Sequence, residues 1–356
     1  MVLLGLDCKR TTMGKTTAEK HEKKWGDHHS DVPSAEIATQ PLIKRQMIAF
    51  RHQMTDDFPI KFNIPGWEII DFADRHKYKS QYYFQINVDK PSNRTKEGEV
   101  IDPVYDYIKE TGKPYLVCEL SCFRQNSYQG DPNNWYYTLG WFHFLRQGLF
   151  RNNNSPGDRW NQIQKHQNIE ILPWRTQVRD NDYALVCLQK VNDSTLIPMH
   201  ETHGKYKWWI EVACKQIRNI YPKLPIIIRP HLRTKLTNYM YSLHNIKNVH
   251  LSKTWEDRTY HEGGAGLQSD LDGARFVVGY NSNVLTQSVL QGIPTVCWDI
   301  RSAASPVCLD PSQLKNIEQA HNIDREQWLY DLGYTQWTRA EISNGHAWNH
   351  LKQYEF

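Results

Sequence analysis

Apolar and polar positions along this chain follow two periods, one of β-strands and one of helices. Their clearest succession is GARFVVGYNSNVLTQSVLQGIPTVCWD, residues 273–299. Residues 275–280 form a short apolar run rich in β-formers, as expected of a buried parallel strand. Asn281, Ser282 and Asn283 place three N-cap formers ahead of a helical run at 284–291. Gly292 ends that helix, Pro294 forbids its continuation, and 295–298 reads as the next strand. The unit aims helix N-terminal N–H groups at the carboxyl edge of a parallel sheet, where phosphates bind in open α/β folds. An ordinary βαβ unit with a polar turn would have the same sequence.

The same alternation begins near Asn181. Strands are predicted at 183–189, 224–229 and 248–252, with a helix at 205–220. Strands alternating with helices imply a parallel sheet with right-handed crossovers. In the first half, strand-like runs occupy 82–87 and 114–120, separated by a helical pattern at 100–111. Residues 136–150 carry Tyr137, Trp141, Phe144 and Leu145 at helical spacing and read as a core-facing helix. A loop is expected at 151–160 and a last strand at 169–174. From Asp324 the chain turns aromatic and amphipathic, and Trp328, Leu329, Leu332 and Trp337 fall near one helical face. These runs divide the chain into an acceptor-side domain (1–180), a nucleotide-binding domain (181–323) and helices packed across the junction (324–356).

A length of 356 residues suits two α/β domains better than one core. The 13 Trp and 19 Tyr fill cores and also supply flat faces for bases or sugars. No apolar run approaches the roughly 20 residues of a membrane span. The first residues lack a long apolar segment with a cleavage site. Seven scattered Cys without a CxxC pair fit reduced thiols. These features predict a cytoplasmic protein, with no visible motif requiring a metal and His28–His29 read as a polar turn. The net charge of +4 is concentrated: residues 205–253 carry ten Lys and Arg against one acid, Glu211. That segment is either a solvated face or a surface for polyanions, a nucleotide diphosphate or a nucleic-acid backbone.

The segments IIIRPH (226–231) and GYNSNVLTQSVLQGIPTV (279–296) resemble those of GT-B glycosyltransferases. The resemblance implies an α/β fold of two facing Rossmann-like domains with a cleft between them and a C-terminal helical segment crossing back. PGDRW (156–160), LPWR (172–175), YNSN (280–283), ASPV (304–307), DREQWLYDLGYTQWT (324–338) and GHAWNHLK (345–352) are similar to phage-encoded proteins. Those proteins are themselves similar to transferases that place sugars on hydroxymethylated pyrimidines of phage DNA. The resemblance implies a UDP-sugar donor, UDP-glucose first, and DNA containing a hydroxymethylated pyrimidine as acceptor. Surface-polysaccharide synthesis is the alternative within enzymes, and a catalytically silent nucleic-acid-binding module the alternative outside them.

The implied site is assigned residue by residue. Arg229 and His231, after the strand at 224–229, would grip the diphosphate, unless Arg229 forms a surface ion pair. Asn281, Ser282 and Asn283 would donate to the same group, Lys190 would add a phosphate contact or lie in a flexible loop, and Gln287 stands where a ribose-binding Glu is expected. Gly263, Gly264 and Gly266 read as a mobile turn near the donor. The acceptor hydroxyl needs a base. Glu119, at the end of a strand, is the first choice, with Asp131 and Asp158 as loop alternatives. Arg124 and Arg159 would contact acceptor phosphates or pair with those acids.

Overall fold

A computed structural model describes residues 42–51, 60–86, 103–123, 130–142, 154–190, 194–196, 203–231, 243, 246–254 and 265–354. The first body is built on strands β1 (Ile43–Phe50), β2 (Trp67–Ile70), β3 (Tyr78–Ile86), β4 (Tyr115–Leu120) and β5 (Tyr136–Trp141). Helix α1 (Pro103–Glu110) is the crossover between β3 and β4. The second body begins with α2 (Asp158–Gln167) and continues through β6 (Tyr183–Cys187), α3 (His203–Ile220), β7 (Ile226–Arg229) and β8 (Val249–Leu251). Helix α4 (Ala265–Asp272), β9 (Ala274–Gly279), α5 (Val284–Leu290) and β10 (Thr295–Cys297) complete its sheet. Helix α6 (Glu326–Gly333), β11 (Gln336–Thr338), α7 (Arg339–Ser343) and α8 (His346–Leu351) form the tail.

The second sheet is ordered β10-β9-β6-β7-β8 and every pair in it is parallel. This is the doubly wound order, in which the winding direction reverses between β6 and β9. Its strands read as continuous apolar runs because helices cover both faces. Tyr206, Trp209, Ile210, Ala213 and Ile217 of α3 pack on one face against Ala184, Val186 and Ile228. Leu285 and Val289 of α5 pack on the other, against Leu185 and Val277. Trp160 and Ile163 of α2 join that second core, so α2 packs there although it precedes residue 181.

The first sheet is ordered β11-β5-β4-β3-β1-β2, parallel from β4 to β2 and antiparallel at β5 and β11. The chain is thus α/β and GT-B-like, with two sheets and a C-terminal segment that returns to the first. Two expectations are corrected. Residues 136–141 are strand β5, buried at every position, because an unbroken apolar run suits a two-sided strand as well as a helix. Residues 143–150 of the same expected helix lie outside the described residues. Residues 169–174 form no strand. Leu172 N–H donates to Leu290 O at 2.9 Å and Arg175 N–H to Gly292 O at 2.6 Å, so this segment is strapped to the end of α5. Gly292 makes the approach possible: its φ is +67°, and a Cβ there would lie 1.9 Å from Pro173 O.

The tail crosses between the bodies. Trp328, Leu329 and Leu332 of α6 are buried in the second core, and Trp328 Nε1 donates to Ala303 O at 2.8 Å. Trp337 leaves that helical face and sits on β11, opposite Tyr137 of β5. Trp337, Ile342, Ala347, Trp348 and Leu351 fill the first core. At the crossing, Arg159 of α2 forms a two-pronged pair with Glu341, Nη1 to Oε1 at 2.9 Å and Nη2 to Oε2 at 2.8 Å. Its Nε donates to Gly333 O at 3.1 Å and Gln336 O at 3.0 Å, and its guanidinium lies 3.7 Å from the Trp337 ring centroid. The pairing anticipated with Glu119, Asp131 or Asp158 is replaced by one with the tail. Arg124 lies outside the described residues. No described helix is long and apolar enough to cross a membrane.

Two stability predictions follow from this crossing. Arg159→Met leaves the Glu341 carboxylate half-buried without its partner, and should cost on the order of 3 kcal/mol. A denaturation midpoint equal to that of the parent chain would show the pair to be idle. His350 packs its ring against Tyr334, Trp337 and Tyr354, at centroid distances of 4.8, 5.5 and 5.3 Å. Burial, with the Arg159 charge second, lowers its pKa from 6.5 to about 4. Because the folded pKa lies below the unfolded one, stability is full above about pH 6.5 and falls as pH drops toward 4. The loss should be on the order of 1–2 kcal/mol after solvent screening. Melting curves across that window should flatten in His350→Gln.

Candidate functional site

Open α/β sheets bind ligands at the carboxyl edge where the winding reverses. Here that point lies between β6 and β9, whose ends are in register at Cys187 and Gly279. Beyond them the chain places Gln189 and Asn281, which hold each other by two bonds. Gln189 Nε2 donates to Asn281 Oδ1 at 2.7 Å, and Asn281 N–H to Gln189 Oε1 at 3.2 Å. The Asn281 amide also donates to Thr195 O at 3.1 Å and Asp299 Oδ2 at 2.7 Å. Asp299 follows β10 and is clasped by Arg301, with Nε 2.9 Å from both carboxylate oxygens. On the other side, Gln189 N–H donates to the Tyr206 hydroxyl at 2.8 Å, and that hydroxyl donates to Gln189 O at 3.2 Å. The turn at the reversal point is therefore held by side chains and backbone of the segments after β6 and β10, with α3 behind them.

Asn281 is 4% exposed, and its side chain is fully engaged in this network. It shapes the turn instead of capping α5. Asn283 does not cap the helix either: its backbone is already helical, at φ −62° and ψ −16°. Ser282 does the work, accepting Val284 N–H on Oγ at 3.3 Å and Leu285 N–H on its carbonyl at 3.0 Å. Ser282, Asn283 and Gln287 are half-buried, as are Lys190, next to Gln189, and His231, two residues past β7. Lys190, His231 and the turn 281–283 thus share the carboxyl edge, while Gln287 sits one turn into α5.

Arg229 also ends its strand at this edge, but its guanidinium is buried. Nη1 forms an ion pair with Asp270 Oδ2 at 2.5 Å and donates to Ser252 Oγ, Thr254 Oγ1 and Gly266 O at 3.3, 3.1 and 3.2 Å. The charge is balanced inside the second body, and the surface ion pair considered for it is an interior one. Gly266 accepts from Arg229 and Thr254, so it belongs to this cluster; Gly263 and Gly264 lie outside the described residues. Arg218 is likewise committed, donating to Tyr221 O, Pro222 O, Leu224 O and Asn248 O.

The three acids of the first half are dispersed. Glu119 is half-buried at the end of β4, opposite Thr138, and its Oε1 accepts Leu120 N–H at 2.8 Å. Two residues on, the chain enters Ser121–Cys122–Phe123, of which Cys122 and Phe123 pack in the second core. Asp131 is exposed and caps a short turn through Asn133 N–H at 2.9 Å. Asp158 is exposed at the start of α2 and accepts the Tyr334 hydroxyl at 2.9 Å. Glu119 and Asp158 both stand beside residues of the junction, Glu119 two before Ser121 and Asp158 next to Arg159.

Sequence reasoning missed Gln189, Asp270, Asp299 and Arg301. Asp299 and Arg301 carry a legible signal, two opposite charges just past a strand end. Gln189 and Asp270 are recognisable only through partners 92 and 41 residues away. It also missed a buried group at the junction, where Gln336 Oε1 accepts from Ser121 Oγ at 2.8 Å, Thr138 Oγ1 at 3.1 Å and Cys122 N–H at 3.2 Å. No cluster of metal-ligating side chains occurs among the described residues. A groove of 470 Å³ between α2, residues 171–174 and α6 is lined by Trp160, Gln164, Trp174, Arg325 and Tyr330, and by none of the candidate donor residues.

No protein-family model matches the chain, and no curated protein does. Among solved structures, the chain is similar to a KpsC beta Kdo 2,4 transferase from Thermosulfurimonas dismutans, with 10% identity and a TM-score of 0.48 over 82% of this chain and 91% of the other. A beta Kdo 2,7 transferase of the same organism shares 12% identity at a TM-score of 0.42, over 86% and 100%. The UDP-GlcNAc 2-epimerase of Methanocaldococcus jannaschii, solved with UDP-GlcNAc and UDP, shares 13% at 0.31, over 88% and 100%. The fold reading stands on the strand order, and no residue role is taken from these likenesses.

The Arg229–Asp270 pair has a consequence for mutagenesis. Arg229→Ala strands a buried carboxylate and should cost about 3–5 kcal/mol of stability. Arg229→Met combined with Asp270→Leu should recover most of that loss, as measured by denaturant titration. Equal instability of the single and double variants would mean that the two charges are not coupled.

Proposed function

We propose that the chain is a glycosyltransferase that moves a sugar from a nucleotide-diphosphate donor to DNA. UDP-glucose is the donor of first choice. The acceptor is the hydroxymethyl group of a modified pyrimidine, and the reaction takes place in the cytoplasm of a host cell. The observation that carries the donor half is the polar turn at the reversal point of the second sheet, with Lys190, His231 and Ser282 on the same edge. The acceptor half rests on the sequence resemblance and on the basic content of residues 205–253.

In this reading the donor diphosphate lies against the 281–283 turn. Lys190 and His231 stabilise the charge that grows on the departing nucleotide, while Arg229 and Asn281 hold the edge in shape. The acceptor oxygen forms a bond to the anomeric carbon, the bond from that carbon to the diphosphate breaks, and the hydroxyl proton passes to Glu119. A hydroxymethyl group inside a duplex cannot reach such an edge, so the base must open or flip out.

The test incubates the protein with labelled UDP-sugars and either hydroxymethylated or plain DNA, then analyses nucleosides by mass spectrometry. A hexosylated nucleoside from modified DNA alone is the expected product. Transfer onto a free glycan with DNA ignored would favour polysaccharide synthesis, and no donor turnover at all would favour a silent binding module. Lys190→Ala and His231→Ala should each slow transfer roughly tenfold to a hundredfold, with Ser282→Ala milder because backbone N–H donors remain. Unaltered turnover in both would remove the donor site from this edge.

A further inference from the structure

Trp208 lies on the outward face of α3 and is 61% exposed, the one exposed Phe, Tyr or Trp among the described residues. No hydrogen bond or ring contact of the described residues involves it. Its neighbours are fixed. Tyr206 is bonded to Gln189, and the Trp209 ring lies 5.7 Å from that of Tyr280 and 6.1 Å from that of Trp298. Tyr280 and Trp298 immediately precede Asn281 and Asp299 of the reversal-point network. The first turns of α3 are therefore anchored to the carboxyl edge, and Trp208 projects from that anchor on the solvent side.

Lysines accompany the indole. Lys207 is adjacent, and Lys215, seven residues on, returns to the same stripe two turns along the helix. Both are exposed, with the half-buried Glu211 between them. The exposed indole offers apolar area that a flat ligand face can cover. Cores of protein interfaces are depleted in lysine. An indole on a face that also presents two lysines instead fits a polyanion that carries flat apolar faces, which is the chemistry of single-stranded nucleic acid.

We propose that this face of α3 binds a single-stranded segment of the acceptor DNA, with one base stacked on Trp208 and its phosphates beside Lys207 and Lys215. The inference rests on the DNA reading of the acceptor. It adds a stacking platform beside the donor edge, which would keep an opened strand unpaired while a neighbouring nucleotide enters.

The test measures binding of a short, unmodified, fluorescent pyrimidine strand over a range of salt, with no donor sugar present. Trp208→Ala should weaken binding roughly tenfold to a hundredfold, and Trp208→Tyr should retain most of it. Lys215→Gln should reduce the slope of log affinity against log salt by about one. The strand should quench tryptophan emission in the parent chain, whereas dextran sulfate, a polyanion without bases, should not. Unchanged affinity in a folded Trp208→Ala protein overturns the proposal, as does equal quenching by dextran sulfate. A change of sedimentation in Trp208→Ala with DNA affinity intact would assign the ring to contact between copies and equally overturn it. Since neither hydroxymethyl group nor donor is used, failure of the transfer assay and failure here are separate results.

Discussion

The guanidinium of Arg159, on α2 of the second body, is where the tail closes on its return to the first. Its charge is taken out of water, a step that costs several kcal/mol unless every N–H finds a good acceptor. Two carboxylate oxygens, the carbonyls of Gly333 and Gln336 and the face of Trp337 meet that demand together. The same contacts fix where α6 ends and β11 begins. Burial of Glu341 raises its pKa, but the Arg159 hydrogen bonds and charge, with those of Thr338, outweigh this and hold the carboxyl below its usual range. The pair thereby joins the tail to α2 at the place where Cys122, Phe123 and Tyr136 also enter the second core.

The carboxyl edge of the second sheet is built on a similar economy of charge. Arg229 is balanced by Asp270 on one side of the reversal point and Arg301 by Asp299 on the other. These pairs hold the backbone of the 281–283 turn through Asn281, and tie the end of β8 to the start of α4 through Ser252 and Gly266. Their cations are spent on shape. Burial and the neighbouring Asp299 raise the pKa of Tyr280.

Much of the second body was legible in the sequence. β7, β9 and β10 are short runs bounded by Gly or Pro, and each strand observed falls within the run that predicts it, apart from Ala274 at the start of β9. The failures share a cause. Residues 136–141 and 169–174 are apolar segments whose conformation depends on distant partners, β11 for the first and the end of α5 for the second. Trp337 was assigned to a helical face for the same reason. At the site, the turn and its edge were readable, since N-cap formers after a strand are a local signal. The roles of Arg229 and Asn281 were not, because Asp270 and Gln189 become their neighbours only in the folded chain.

Strand β11 also bears on the order of events when the protein is made. It covers the free edge of β5, a row of backbone N–H and C=O groups that would otherwise invite pairing with another chain. Tyr137 and its partner Trp337 are 200 residues apart in sequence (337 − 137), so that edge stays open while the whole second body is synthesised. At about 5–20 residues per second this exposure lasts roughly 10–40 seconds. The body that begins first on the ribosome is finished last, and for that interval its solubility depends on what shields a single strand.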